Sequence, residues 1–213
     1  RTIKANLRHY QPEHETIIAE TRIGYGRRRA ALRDIMLCID QSGSMATSVV
    51  YASVFGAVLA TLPAVQTRVV VFDTAVVDLT EKLDDPVDLL FGVQLGGGTD
   101  IHQALSYCQS AVRSPQDTIL VLISDLFEGG DRGAMLKRAA SIVASGATMI
   151  ALLALSDDGA PAYDHHHAAE FAALGIPTFA CTPDLFPELM AAAISRQDLG
   201  QWAARNDVIT SRA

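Results

Sequence analysis

From residue 34 onward the apolar positions follow two alternating patterns: short, nearly continuous runs, and longer stretches spaced by three and four. The run at 34–40 is apolar at almost every position, as a parallel strand buried on both faces must be. A helix is predicted at about 48–62, apolar around most of its circumference and stopped by Pro63. Strand 68–73 follows, then a short extended run at 75–79 and an acidic surface crossing at 81–88. Ile101, Ala104, Leu105, Cys108, Ala111 and Val112 form a stripe at helical spacing, with Thr99 and Asp100 at its N-terminal end. The unit then repeats as strand 118–125, helix 133–145 closed by Gly146, strand 147–155, helix 164–174 closed by Gly175, and strand 176–181. Thr182 and Pro183 read as the cap and first-turn proline of the next helix, and a last helix near 198–204 carries Leu199 and Trp202.

Strand, loop and helix in this alternation predict an α/β fold: a doubly wound, mainly parallel central sheet with helices on both faces. The run at 75–79 is its one antiparallel edge strand. Before residue 34 the pattern is different. Short alternating stretches at 2–8 and 16–25 flank Gln11-Pro12-Glu13 and suggest a hairpin or extended arm. The chain therefore divides into an arm (1–33), a main domain (34–195) and a C-terminal helix and tail (196–213).

The 213 residues, 49% hydrophobic and 19% charged, suffice for one substantial core. The longest apolar stretches, at 49–62 and 149–155, fall short of the roughly 18 residues a spanning helix needs, so no membrane span is expected. The net charge of −7 is unevenly placed: residues 1–33 carry eight Lys or Arg against three Glu, and the remainder balances at −12. An acidic main body argues against nucleic acid as partner, and Arg27-Arg28-Arg29 reads as a solvated run. Cys38, Cys108 and Cys181 lie in apolar stretches without paired spacing, which suggests buried reduced thiols and a cytoplasmic setting.

The candidate chemistry sits where strands end. Asp40, Ser42 and Ser44 place one carboxylate and two hydroxyls on alternate residues after strand 34–40, with Gly43 permitting a tight path. Gly96-Gly97-Gly98 precedes Thr99, and strand 118–125 ends on Asp125. In an open parallel sheet these loops share one edge, where ligands bind if the strand order reverses. Hard oxygen donors suit Mg²⁺ or Mn²⁺ and not zinc. Glu128 belongs to the same rim, and Asp73 reads as a turn or supporting residue behind the ligands. His165-His166-His167 cannot converge on one ion, since successive helical residues point about 100° apart; they read as a solvated helix start, as His102 reads as an exposed first-turn residue.

Asp40-Gln-Ser42-Gly-Ser44, with Thr99 and Asp125 in order behind it, resembles the metal-ion-dependent adhesion site (MIDAS) of von Willebrand factor A-type (VWA) domains. The resemblance implies a Rossmann-like VWA fold, metal ligation by Asp40, Ser42, Ser44, Thr99 and Asp125, and an exchangeable position filled by an Asp or Glu carboxylate of a partner protein. The phrase from Cys38 to Met45, the basic arm and the unpaired cysteines resemble the bacterial CoxE-like branch. That branch implies a non-enzymatic cytoplasmic adaptor working with a MoxR-type AAA+ ATPase. Two alternatives stand beside it: a phosphoryl-transfer enzyme resembling haloacid dehalogenases with Asp40 as nucleophile, and a structural domain whose site is unused. Serine at position 42, where those hydrolases usually carry a second aspartate, weighs against the first. The Gly-x-Ser-x-Gly elbow of serine hydrolases and a dinucleotide-binding glycine pattern are both missing.

Overall fold

The computed structural model describes residues 10–11, 16–17, 33–47, 66–82, 97–154, 162–180, 182 and 184–210. The helix predicted at 48–62, most of the acidic crossing, Gly96, Arg27-Arg28-Arg29 and Cys181 lie outside them.

The chain forms two compact units, 1–31 and 32–213. In the first, β1 (Tyr10–Gln11) and β2 (Thr16–Ile17) pair antiparallel, Tyr10 opposite Ile17. The second contains β3 (Asp34–Asp40), β4 (Gln66–Phe72), β5 (Val76–Asp78), β6 (Thr118–Ser124), β7 (Thr148–Leu153), β8 (Thr178–Ala180) and β9 (Ile209–Thr210). Its described helices are α1 (Ile101–Ala111), α2 (Arg132–Ala144), α3 (His165–Ala173), α4 (Phe186–Ile194) and α5 (Leu199–Arg205).

The seven strands lie in the order β5-β4-β3-β6-β7-β8-β9. All pairings from β4 to β8 are parallel, and β5 is the expected antiparallel edge. A second antiparallel strand, β9, closes the other edge, pairing Ile209 and Thr210 with β8. The chain runs outward from β3 through β4 to β5, then returns to the other side of β3 as β6. The strand order thus reverses between β3 and β6, which opens a crevice at their carboxyl ends.

Alternation along the strands divides the core into two layers. Ile35, Leu37, Ile39, Val121 and Ile123 face α4 and α5, where Phe186, Leu189 and Trp202 cover them. Met36, Cys38, Leu120 and Leu122 face α1, α2 and α3 through Leu105, Met135 and Phe171. Each such side chain contributes about 1.5–3 kcal/mol by leaving water, which fixes the strand register that carries Asp40 and Asp125 to one edge.

One helix start differs from expectation. Asp184 and Leu185 form a turn, with the Leu185 N–H donating to the Thr182 carbonyl at 3.2 Å. α4 therefore begins at Phe186, and its first-turn proline is Pro187, where the missing N–H has no helical partner to lose.

Candidate metal centre

β3 ends on Asp40, and a 3₁₀ turn at Gly43–Thr47 follows. Asp40 is fully buried. Its Oδ1 accepts the Ser42 backbone N–H at 2.9 Å, and its Oδ2 accepts the Ser124 hydroxyl at 2.6 Å. The Ser42 and Ser44 hydroxyls lie 3.1 Å apart, so their alternate spacing does place them together.

The loop carrying Thr99 is anchored on both sides. Asp73 Oδ2 accepts the Gly97 N–H at 3.1 Å, and the Asp73 carbonyl accepts the Asp100 N–H at 2.9 Å. Asp73 therefore supports the loop from the end of β4. The Gly97 carbonyl accepts the Gly43 N–H at 3.1 Å, joining the serine turn to the threonine loop. A Cβ on Gly97 would stand 2.6 Å from Asp73 Oδ2, so a side chain there must displace the carboxylate that anchors the loop.

Asp125 leaves β6 buried, its Oδ1 accepting the Phe127 N–H at 3.1 Å. The next loop is tied to Thr99, whose carbonyl accepts the Gly129 N–H at 2.9 Å. Glu128 caps the helix that follows Thr99: Oε2 accepts the Ile101 N–H at 2.8 Å, and Oε1 accepts the Gly130 N–H at 2.7 Å. Its work at the rim is thus to bridge two site loops. All three loops are linked by backbone hydrogen bonds, which brings Asp40, Ser42, Ser44, Thr99 and Asp125 to one edge of the sheet.

Burial pushes the Asp40 carboxyl up to about 6 from its ordinary 3.8, and the charge of Asp125 adds to the rise; hydrogen bonds from Ser124 and Ser42 oppose it. None of the described ion pairs involves Asp40 or Asp125. A buried carboxylate beside a second one, without a basic partner, favours a cation. Among the described residues no three His, Cys, Asp or Glu side chains gather as ligands. The candidate set from the sequence, two carboxylates and three hydroxyls, is of a kind that fits a hard, water-retaining ion.

The three histidines separate. His165 and His166 are exposed, but His167 is buried, its Nδ1 2.8 Å from the Leu126 carbonyl oxygen. The reading of a solvated helix start fails at this residue because the third position of α3 turns inward. His102 is likewise half-buried, not exposed; among the described residues its Nδ1 has no hydrogen-bond partner. Sequence reasoning missed Ser124, the hydroxyl that follows the apolar run 119–123 of β6. It also missed Leu126, a buried residue held at φ +60° by the Ser124 hydroxyl on its N–H and His167 on its carbonyl. The left-handed backbone turns Phe127 outward, 50% exposed, next to Asp125.

The doubly wound sheet and the oxygen-rich loops at its switch point define a von Willebrand A-type domain. The family described as "VWA domain containing CoxE-like protein" matches residues 1–190, and the chain belongs to this family. It is 36% identical over 207 residues to the uncharacterized protein YehP of Escherichia coli (strain K12), covering 96% of this chain and 51% of that protein. The chain thus spans about half the length of this curated relative. Among solved structures it is similar to an aerotolerance-related membrane protein of Bacteroides fragilis NCTC 9343, with TM-score 0.62, 14% identity, and coverage of 78% of this chain and 100% of that one. It is also similar to a von Willebrand factor type A protein of Catenulispora acidiphila, with TM-score 0.57, 14% identity, and coverage of 77% and 42%. At these identities the structural likeness concerns the fold.

Proposed function

We propose that the chain is a divalent-metal-dependent protein-binding module in which Asp40, Ser42, Ser44, Thr99 and Asp125 hold Mg²⁺ or Mn²⁺. The observation that carries this reading is the buried Asp40 carboxylate beside Asp125, without a cationic partner among the described residues and flanked by paired serine hydroxyls. Bound there, the metal would supply exchangeable positions for an Asp or Glu carboxylate of a partner protein. Ser124 and the Ser42 amide orient Asp40, while Asp73 and Glu128 fix the loop bearing Thr99.

The CoxE-like family membership supports a cytoplasmic adaptor role beside a MoxR-type AAA+ ATPase. Cys38 and Cys108, both free and buried, agree with a reducing setting. No helix among the described residues is long and apolar enough to cross a membrane. Phosphoryl transfer through Asp40 draws no support from the site: position 42 carries serine where a hydrolase of that kind would carry its second carboxylate.

Titration calorimetry with Mg²⁺ and Mn²⁺ tests the site, and co-purification with a MoxR-type ATPase with and without EDTA tests the partner. Asp40→Ala and Thr99→Ala should abolish both kinds of binding. Metal and partner should strengthen each other reciprocally by about 1–3 kcal/mol. Partner affinity that is unchanged in EDTA would overturn the metal-bridged mechanism.

A further inference from the structure

The sheet edge opposite the metal site holds a cavity of about 490 Å³ that the function above does not use. It opens beside the starts of β3 and β7, at the ends of α2 and α4 and the start of α5. Arg33, the residue before β3, lines it while only 6% exposed. One of its guanidinium nitrogens donates to the Ala193 carbonyl at 3.0 Å, in the last turn of α4. None of the described ion pairs includes Arg33.

Two carboxylates, Asp117 and Asp198, lie near this cation, and neither forms a described ion pair with it. Arg196, held at φ +56°, lines the same space and spends one nitrogen on the Gln116 carbonyl at 3.1 Å and Asp117 Oδ1 at 3.3 Å. Asp198 also lines it, but its carboxylate is engaged in capping α5, accepting the Gly200 and Gln201 N–H groups at 2.9 and 3.1 Å. Burial and the neighbouring Arg196 pull Arg33 below its ordinary range, and Asp117 offsets this only in part. A buried guanidinium beside a second one is costly unless an anion joins them. The Ala193 carbonyl and the negative end of the α4 dipole relieve one side of it; the guanidinium has further N–H donors beyond that one bond.

We propose that this cavity is a second ligand site, taking a small molecule whose phosphate or carboxylate group is held by Arg33 and Arg196. Arginine forks match either oxyanion in paired hydrogen bonds. The volume exceeds what an inorganic anion fills, and Val143, Met149 and Leu199 provide apolar wall for the organic remainder.

The test is calorimetric titration of the full chain with inorganic phosphate and, separately, with citrate. EDTA is present to silence the metal site, and sodium chloride at matched ionic strength controls for screening. Saturable binding of phosphate alone assigns a phosphorylated ligand, and of citrate alone a carboxylate. In either case Arg196→Gln and Arg33→Met should each weaken binding about tenfold. Should Arg33→Met fail to fold, Arg196→Gln decides alone, because that side chain is mostly exposed and its loss opens no core cavity. No saturable heat from either anion, or affinity unchanged in the variants, would overturn the site and leave Arg33 as a cap on α4.

Discussion

The Ser124 hydroxyl donates to Asp40 Oδ2 at 2.6 Å across 84 positions of sequence, joining the ends of β3 and β6 at the point where the strand order reverses. The same oxygen accepts the Leu126 N–H at 2.9 Å. Ser124→Ala would remove both bonds and leave a buried carboxylate oxygen unsatisfied. The expected cost is about 1–3 kcal/mol in denaturant unfolding, together with weaker metal binding. A variant with wild-type stability would show that water replaces the hydroxyl.

Two adjacent glycines predict opposite outcomes. A Cβ at Gly97 would lie 2.6 Å from Asp73 Oδ2, whereas one at Gly98 would meet Thr74 Cγ2 at an ordinary 3.4 Å. Gly97→Ala should therefore displace the Thr99 loop, lowering Mg²⁺ affinity at least about tenfold and costing roughly 1–3 kcal/mol in stability. Gly98→Ala should remain within about 0.5 kcal/mol of wild type in stability. Calorimetric titration of the pair, with thermal unfolding, separates the two effects.

The strands and the oxygen-bearing loops were legible because their signals are local. Strand 34–40 ends on Asp40, and the alternate spacing of Ser42 and Ser44 survives as a contact between their hydroxyls. What was not legible depends on the third dimension. Ser124 looked like a strand residue of no consequence until folding set it against Asp40. His167 meets Leu126 from 41 positions away, so only the rotation of α3 distinguishes it from its two exposed neighbours. The α4 start differs because Pro183 and Pro187 both suit a first helical turn, and the turn at Asp184 and Leu185 places the start at Phe186. Strand β9 is two residues long and carries almost no periodicity.

His165→Ala with His166→Ala should leave metal affinity unchanged, because both side chains are exposed. His167→Ala should act differently. It removes the bond to the Leu126 carbonyl that helps hold φ at +60°, a conformation costing a non-glycine residue of order 1–3 kcal/mol. The loop after Asp125 should loosen, seen as faster amide exchange at Phe127 and Glu128 and as weaker Mg²⁺ binding. Equal behaviour of the two variants would return the whole triplet to the solvent.

The burial of Asp40 carries a pH dependence whose sign follows directly. Its folded value of about 6 lies above the ordinary 3.8, so the protonated form is the one favoured by the fold. The stabilising contribution is fully present below about pH 4 and is lost as pH rises through about 6. With roughly two pH units between the two values, the loss is on the order of 3 kcal/mol by neutral pH. Measured in EDTA, this contribution should vanish in Asp40→Asn, which stays neutral throughout; the variant should be more stable than wild type at pH 7 and not at pH 4. Saturating Mg²⁺ should reverse the order at pH 7, since ligation stabilises the ionised carboxylate of the wild type alone. Denaturant unfolding at the two pH values, with and without the ion, supplies the four comparisons. A stability difference between wild type and Asp40→Asn that is the same at pH 4 and pH 7 in EDTA would mean that Asp40 is ionised without penalty, and that the charge argument for a cation at this site fails.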